Sequence, residues 1–441
     1  MLDHVALRSA VPADDRTPAG PRRPTPVRAH DGAGDGAVDT VVVDDDPIAR
    51  LERLAGPEGT ALLERLAVAD RDGDAALRLG TALRREHDAG LVADAMAQAG
   101  LRDRAARKFA RAARMWFTRD GLEQASSEVI ARHRAARFAG RAVVDLCCGI
   151  GGDLVSLVAA GHEVTGVDLD PVHLWMADRN AAVHGGSART VRRDVRDADL
   201  SGTDGVFVDP ARRTGGGRMR TGESEPPLGW CLELERRAGA VGIKAAPGID
   251  HDTVPPDWEI EFLALGRELK EACAWSPALA RARTRATVVD DDGVHELQGE
   301  PDPPDGDTGI AVGEPGVWLL DPNPAVTRAG LVSALARATG TARIDPRIAF
   351  LTGDDEPPAT PFARPLRVLD SRPWDQKRLP RLLRELDVGA VDVRRRGLAG
   401  DVEAIARKLR GRGSRHATVV MTRVDDRPWG LVCVDPRRGS S

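Results

Sequence analysis

Between Ala142 and Asp153 the chain reads Ala-Val-Val-Asp-Leu-Cys-Cys-Gly-Ile-Gly-Gly-Asp, and this stretch limits what it can fold into more than any other. An apolar run ends in Asp145, a turn carries Gly149, Gly151 and Gly152, and Asp153 opens a helical pattern. The order is strand, turn, helix. Such a turn presents backbone N–H groups and a helix N-terminus to a ligand, and its glycines are needed because a Cβ would block the approach. Ordinary strand-to-helix turns share these glycines, so the ligand has to be read from the flanking residues.

A diphosphate loop calls for Gly-x-Gly-x-x-Gly. Here acids stand on both sides, Asp145 before the turn and Asp153 after it. They repel a diphosphate and suit a ligand with a positive end, such as S-adenosylmethionine (SAM), which carries an ammonium and a sulfonium but no phosphate. Sixteen residues after Gly152 a second apolar run, Val164 to Val167, ends in Asp168. An α/β cofactor fold places the carboxylate that binds both ribose hydroxyls at this point.

Four segments then follow in order: Asp145 to Asp153, Gly166 to Pro171, Arg192 to Val195, and Val206 to Arg213. The series resembles the motifs of class I SAM-dependent methyltransferases, in particular bacterial ones with a THUMP-like C-terminal domain. The catalytic part is also similar to trimethylguanosine synthase, which methylates the RNA cap. The resemblance implies an α/β fold with a Rossmann-like, seven-stranded class I methyltransferase sheet over residues 115–295. It implies SAM as cofactor, bound by Asp145, Cys147, Gly149, Gly151, Gly152, Asp168, Leu169, Asp194, Val195 and Asp209. Asp194 would accept a hydrogen bond from the adenine amino group; a plain loop acid is its other reading. The sheet's strands are expected at Ala142 to Asp145, at Val164 to Asp168, at Thr190 to Asp194, at Gly205 to Val208 and at Val241 to Ile243. Ile260 to Leu263 and Ala286 to Val289 would complete it as an antiparallel hairpin.

Asp209-Pro210-Ala211-Arg212-Arg213 is the candidate reaction motif, with Asp209, Pro210 and Arg212 as catalytic residues. Resembled enzymes that methylate exocyclic amino groups use Asn or Asp, two prolines and an aromatic ring that stacks on the base. The acid and first proline match, the second proline and the ring do not, and the chain has no Tyr. Stacking would fall to Trp116, Phe117, Trp230 or the guanidinium plane of Arg212. Arg212 and Arg213 could equally hold a phosphate or make loop salt bridges. Cys147 and Cys148 could attack a pyrimidine ring, but among acids their thiols should stay protonated. Ser126 or Ser127 is expected to cap a helix from Glu128 to Phe138, after a loop in which Glu123 and Gln124 could touch cofactor or substrate or form only a plain turn and cap.

At 441 residues the chain exceeds one core. Residues 1–45, rich in Pro, Gly, Asp and Arg, bury too little to order. Apolar spacings of three and four across 46–114 predict amphipathic helices, a helical N-terminal region beside the catalytic domain. Residues 296–363 read as a linker and connecting unit, and 364–441 as a small α+β, THUMP-like domain. That last segment holds 19 Lys and Arg against 10 Asp and Glu, in a chain of net charge −5. Basic charge gathered at one end suits a phosphate-tracking module, with Arg394, Arg395, Arg396, Arg412 and Arg415 as candidate RNA contacts. A tRNA or rRNA substrate is the expectation. A small-molecule or protein methyltransferase, and a non-enzymatic RNA-binding protein that keeps SAM, are the rivals. The five cysteines lack metal-ligand spacing, so no metal site is expected, and with no leader or membrane-length apolar run the chain reads as cytoplasmic.

Overall fold

The computed structural model describes residues 46–138, 142–212, 224–303 and 308–439. The disordered segment expected at 1–45 lies outside these residues, as does Arg213.

Four helices open the described chain: α1 (Pro47–Ala55), α2 (Pro57–Ala67), α3 (Asp74–Leu83) and α4 (Ala89–Ala105). Their starts follow from local chemistry. Asp46 accepts from Ile48 N ahead of Pro47, and Asp88 accepts from Leu91 N, so each side chain satisfies a backbone donor that the first turn leaves open. Gly56-Pro57 ends one helix and starts the next. The apolar faces bury Leu54, Leu62, Leu66, Leu91 and Val92 in one cluster with Ile150, Val155, Trp175 and Met176. The helical region therefore packs on the glycine turn itself and on the helices that follow it. Glu52 ties it down further, accepting from Arg179 Nη2 at 3.0 Å.

Two short helices, α5 (Arg119–Gln124) and α6 (Glu128–Ala135), lead into the sheet. Next come β1 (Val143–Leu146), α7 (Leu154–Ala159), β2 (Val164–Asp168), α8 (Pro171–Val183), β3 (Ala188–Arg192) and β4 (Gly205–Val208). A small pair, β5 (Ala211–Arg212) and β6 (Ser224–Glu225), precedes α9 (Leu228–Glu233), α10 (Glu235–Ala238) and β7 (Ala240–Ala245). Four further strands are β8 (Glu259–Leu265), β9 (Glu268–Trp275), β10 (Thr284–Asp290) and β11 (Gly293–Gly299). Among the described residues they form one sheet in the order β11-β10-β8-β9-β7-β4-β1-β2-β3. Strands β3, β2, β1, β4 and β7 run parallel, and β9 is antiparallel to both β7 and β8. These seven strands are the expected class I sheet, and β10 and β11 extend it.

The expected hairpin is corrected. The partner of β8 is β9, joined by the two-residue turn Gly266-Arg267 with Gly266 at φ +55°, whereas β10 lies parallel to β8. Strand β9 starts exposed at Glu268 and becomes fully buried only from Glu271 onward, so its sequence lacks a strand's regular alternation.

The remaining elements are β12 (Trp318–Pro322), α11 (Pro324–Arg328), α12 (Val332–Thr339), β13 (Ala342–Arg343), β14 (Leu351–Gly353) and β15 (Ala363–Pro373). They continue through α13 (Leu379–Glu385), β16 (Val388–Arg395), α14 (Val402–Leu409), β17 (Arg415–Val424) and β18 (Arg427–Val434). The second sheet has the order β13-β14-β12-β15-β18-β17-β16. Strand β12 pairs antiparallel with β15, so the sheet crosses the boundary expected at 364 and takes in the connecting unit. No seam divides the cores either: Leu320, Ala325, Val326, Leu331 and Leu335 share one cluster with Val208, Ile260 and Phe262. No helix among the described residues is long and apolar enough to cross a membrane.

Candidate active site

Register brings the sequence's acids to one line. Leu146 pairs with Val167 on one side and Val208 on the other, and Val208 pairs with Ile243. The residues that follow, Cys147, Asp168, Asp209 and Lys244, therefore stand in a row across four strands at the carboxyl edge, spaced about 5 Å per strand. Ligands of open α/β sheets bind at that edge.

The glycine turn leaves β1 with Cys147 at φ +59°, Gly149 at +53° and Gly151 at +85°. A Cβ on Gly151 would lie 3.1 Å from Ala177 Cα in α8, whereas a Cβ on Gly149 would meet nothing within 4 Å. Gly151 is thus needed for packing and Gly149 opens a cradle. Helix α5 closes on the turn: a Cβ on Gly121 would collide with Ile150, and Gly152 faces Ala125 at 3.1 Å. Lys108 Nζ holds α5 there by donating to the carbonyls of Leu122, Glu123 and Ala125 at 2.8–3.2 Å. These are carbonyls that a helix end leaves open.

Asp168 Oδ2 accepts from Gly149 N and its Oδ1 from Asp170 N, both at 2.9 Å, so the carboxylate is fixed beside the cradle. Leu169 next to it is 63% exposed, an apolar face at the ligand edge. Asp194 caps a short turn through Arg196 N, also meets the Arg196 guanidinium, and precedes buried Val195. Asp145 is 1% exposed and neither carboxylate oxygen has a hydrogen-bond partner among the described residues. Burial, with Asp153, Asp209 and Asp168 nearby, pushes its pKa well above the usual carboxylate range. An orphaned, buried acid beside an open glycine cradle fits a cofactor with a cationic end and no phosphate, which is the fit SAM requires. Asp168 would hold the ribose, Asp194 and Leu169 the adenine, and Asp145 the charged methionine end.

Asp209 Oδ2 accepts from Lys244 Nζ at 2.7 Å, and Lys244 also reaches Gln124 O at 3.4 Å. Burial raises the Asp209 pKa, and Lys244 opposes the rise. Lys244 is the residue that the sequence reading missed; only its place at the end of an apolar strand could have marked it. Pro210 is half-buried after Asp209, and Arg212 lies in β5. Burial pushes the Cys147 and Cys148 thiols up, so neither is an anionic nucleophile.

Several expectations fail here. Trp116 and Phe117 are 8% and 2% exposed, packed on Trp175 and Phe109, so neither can stack on a substrate; Trp230 is half-buried. Ser127 does stand at the N-cap of α6, though without a side-chain bond, while Ser126 donates to Glu271 at 2.7 Å. Glu123 is exposed and pairs with Arg119. Helix α6 and the turn after it are instead anchored by buried polar contacts: Arg134 with Asp153 and Glu271, Arg137 of the turn with Glu259, and His133 with Glu261. His133, Glu261 and Glu296 bring three potential metal-ligand atoms within 4.8 Å of one another. Glu261 is already met by His133, Trp275 and Thr287, so this trio reads as an internal ionic joint.

The candidate RNA contacts divide. Arg394, Arg395, Arg412 and Arg415 are exposed. Arg396 is not available: it donates to Thr327 Oγ1, Ala349 O, Asp321 Oδ1 and Pro322 O and lies over the Phe350 ring. Its guanidinium is part of the interior.

A family model described as a methyltransferase domain matches residues 143–208. The chain is 40% identical over 319 residues to an uncharacterized SAM-dependent methyltransferase of Mycobacterium tuberculosis (strain H37Rv), a match covering 70% of this chain and 84% of the relative. The chain belongs to the SAM-dependent methyltransferases. A THUMP domain-like model matches residues 363–434 of this methyltransferase, and a domain of unknown function matches 45–105. A crystal structure from Porphyromonas gingivalis W83, itself assigned as a methyltransferase, has the same fold at a TM-score of 0.64 and 17% identity, covering 85% of this chain and 94% of that one. A shorter match, 36% identity over 74 residues, joins 17% of this chain to 18% of a 23S rRNA (uracil(747)-C(5))-methyltransferase of Pyrococcus horikoshii.

Proposed function

We propose that this methyltransferase modifies a base of a structured RNA, a tRNA or an rRNA. The observation that carries the reading is the Asp209–Lys244 pair in register with Asp168, in a chain whose second sheet bears a surplus of arginine. The THUMP domain-like match and the rRNA methyltransferase relative support it.

When bound, SAM supplies an electrophilic methyl carbon on a sulfonium. The chain's residues must align the acceptor, keep water out and take a proton. Asp209 accepts the proton of a ring or exocyclic nitrogen, and Lys244 keeps that carboxylate charged and aimed. Half-buried Cys147 and buried Cys148, their thiols pushed up by burial, do not supply the thiolate that carbon methylation of a pyrimidine needs, so the acceptor is a nitrogen rather than the uracil carbon in the Pyrococcus relative's name. Arg212 binds a phosphate near the acceptor, and Arg394, Arg395, Arg412 and Arg415 track the backbone further off. The site lies inside the cell, where both SAM and RNA are found.

Mass spectrometry of total RNA nucleosides from a deletion strain and its parent tests the reading. One methylated nucleoside missing from the deletion strain is the expected result. Identical nucleoside profiles would move the acceptor to a protein or a small molecule.

A further inference from the structure

Asp321, 4% exposed near the end of β12, lies in a group of arginines where the two sheets meet. Arg267 donates to its Oδ2 at 2.8 Å and Arg396 to its Oδ1 at 3.1 Å. Both oxygens are thereby engaged. Arg364 is the cross-strand partner of Asp321 in the β12–β15 ladder, opposite it on the same face, yet makes no bond to it. The Arg364 Nε and Nη2 are buried and meet no hydrogen-bond partner among the described residues. Arg394, exposed near the end of β16, pairs in register with Val420 of the core on this same face. Its charge reaches both Arg267 and Arg396; burial depresses the Arg267 pKa most, and Arg364 and Arg394 add to the fall. Four guanidiniums thus answer to Asp321, and one of the four holds two donors with nothing to donate to. A structural cluster would pair that charge, because a buried guanidinium N–H left open costs stability.

The group also has a defined place relative to the chemistry. Strand β8 is parallel to β7, so the Gly266-Arg267 turn projects from the same carboxyl edge as Lys244. Lys244 is level with Cys273 and hence with Glu261, and the turn begins after Leu265. Arg267 therefore stands about 15 Å beyond the catalytic row. At about 3.4 Å of axis per nucleotide, that is the reach of about five phosphates along one strand.

We infer that Arg267, Arg364 and Arg394 form a phosphodiester-binding site at the joint of the two sheets, which grips the backbone of the substrate RNA about five nucleotides from the methylated base. The inference rests on the RNA reading above and adds to it a site that draws on both sheets. Arg364 is the donor that has given up internal bonding for the ligand, and Arg396 with Asp321 is the strut that holds the others in place.

Arg364→Gln and Arg394→Gln, each in the full chain, provide the test. Filter binding to a structured tRNA transcript across a salt series should show each variant weaker by about tenfold or more, with a log–log salt slope flatter by about 0.9 per lost duplex-type contact. Calorimetric titration should leave SAM affinity unchanged. Without RNA, Arg364→Gln should melt at or above the parent's temperature, because it removes an unpaired buried cation. A parent that binds RNA with a steep salt slope, beside variants that match it in affinity and slope, overturns the site and leaves the RNA reading standing. A parent without RNA affinity overturns both. Binding of polyglutamate but not RNA, lost in both variants, assigns the joint to an acidic protein and likewise overturns the inference.

Discussion

Replacing Asp145 by Asn removes one charge and almost no volume, and the two ligation states should respond in opposite directions. In the ligand-free protein both carboxylate oxygens are buried without a partner among the described residues, and three neighbouring acids press on them. An unsatisfied buried polar group costs about 1–3 kcal/mol, and a charged one more. Each kcal/mol moves the melting temperature of a 150–250-residue domain by about 2–4 °C. Asp145→Asn, which keeps an unsatisfied polar group but cannot ionise, should therefore melt higher than the parent without SAM, by up to about 12 °C. The gap must also depend on pH. Asp145 has a folded pKa raised above its unfolded value, so its stability contribution is full below the unfolded value and is lost as pH rises through the raised one. Parent and variant should thus converge in acid and diverge toward neutral and alkaline pH. With SAM the order reverses, because the cation that answers the carboxylate loses its partner, and affinity should fall at least about tenfold. Scanning calorimetry over a pH series, paired with SAM titration, reads both effects. A variant that melts below the parent at neutral pH, or binds SAM equally well, would refute the assignment of Asp145 to the cofactor's charged end.

Three further outcomes are expected. Asp168→Ala should lose SAM affinity by about 1.5–3 kcal/mol for each ribose hydroxyl bond and remain folded, as circular dichroism with calorimetric titration would show; unchanged affinity would remove Asp168 from the site. Lys244→Met should keep SAM affinity within a few fold and shift the acidic limb of the activity profile to higher pH, because Lys244 now lowers the Asp209 pKa; an unshifted profile would mean that the pair has no part in the reaction. Arg396→Ala should cost about 3–5 kcal/mol in a denaturant titration by leaving buried Asp321 half-paired; a variant as stable as the parent would return Arg396 to the docking surface.

What the sequence made legible was local. The glycines of the turn and the acids ending apolar runs act through neighbours a few residues away, and the parallel half of the sheet followed from them. What it hid depends on partners far off in the chain. Lys244 gains its meaning from Asp209, 35 residues earlier. Arg396 reads as one of three surface arginines until Asp321, 75 residues earlier, claims it. Glu259, Glu261 and Glu271 give β8 and β9 a polar appearance, yet all three are buried against Arg137, His133 and Arg134 of α6 and the turn after it. Trp116 and Phe117 read as free aromatics because the core that absorbs them is built with helices from both sides of the glycine turn.

The most direct measurement of the central claim is transfer of labelled methyl from SAM to RNA, protein and small-molecule fractions of the same cell extract, using the parent chain and Asp209→Ala. Label should appear in the RNA fraction with the parent, and fall by about 10²–10⁴ with the variant while SAM affinity stays within a few fold. Label confined to protein or small molecules, or an Asp209→Ala chain as active as the parent, would contradict the account.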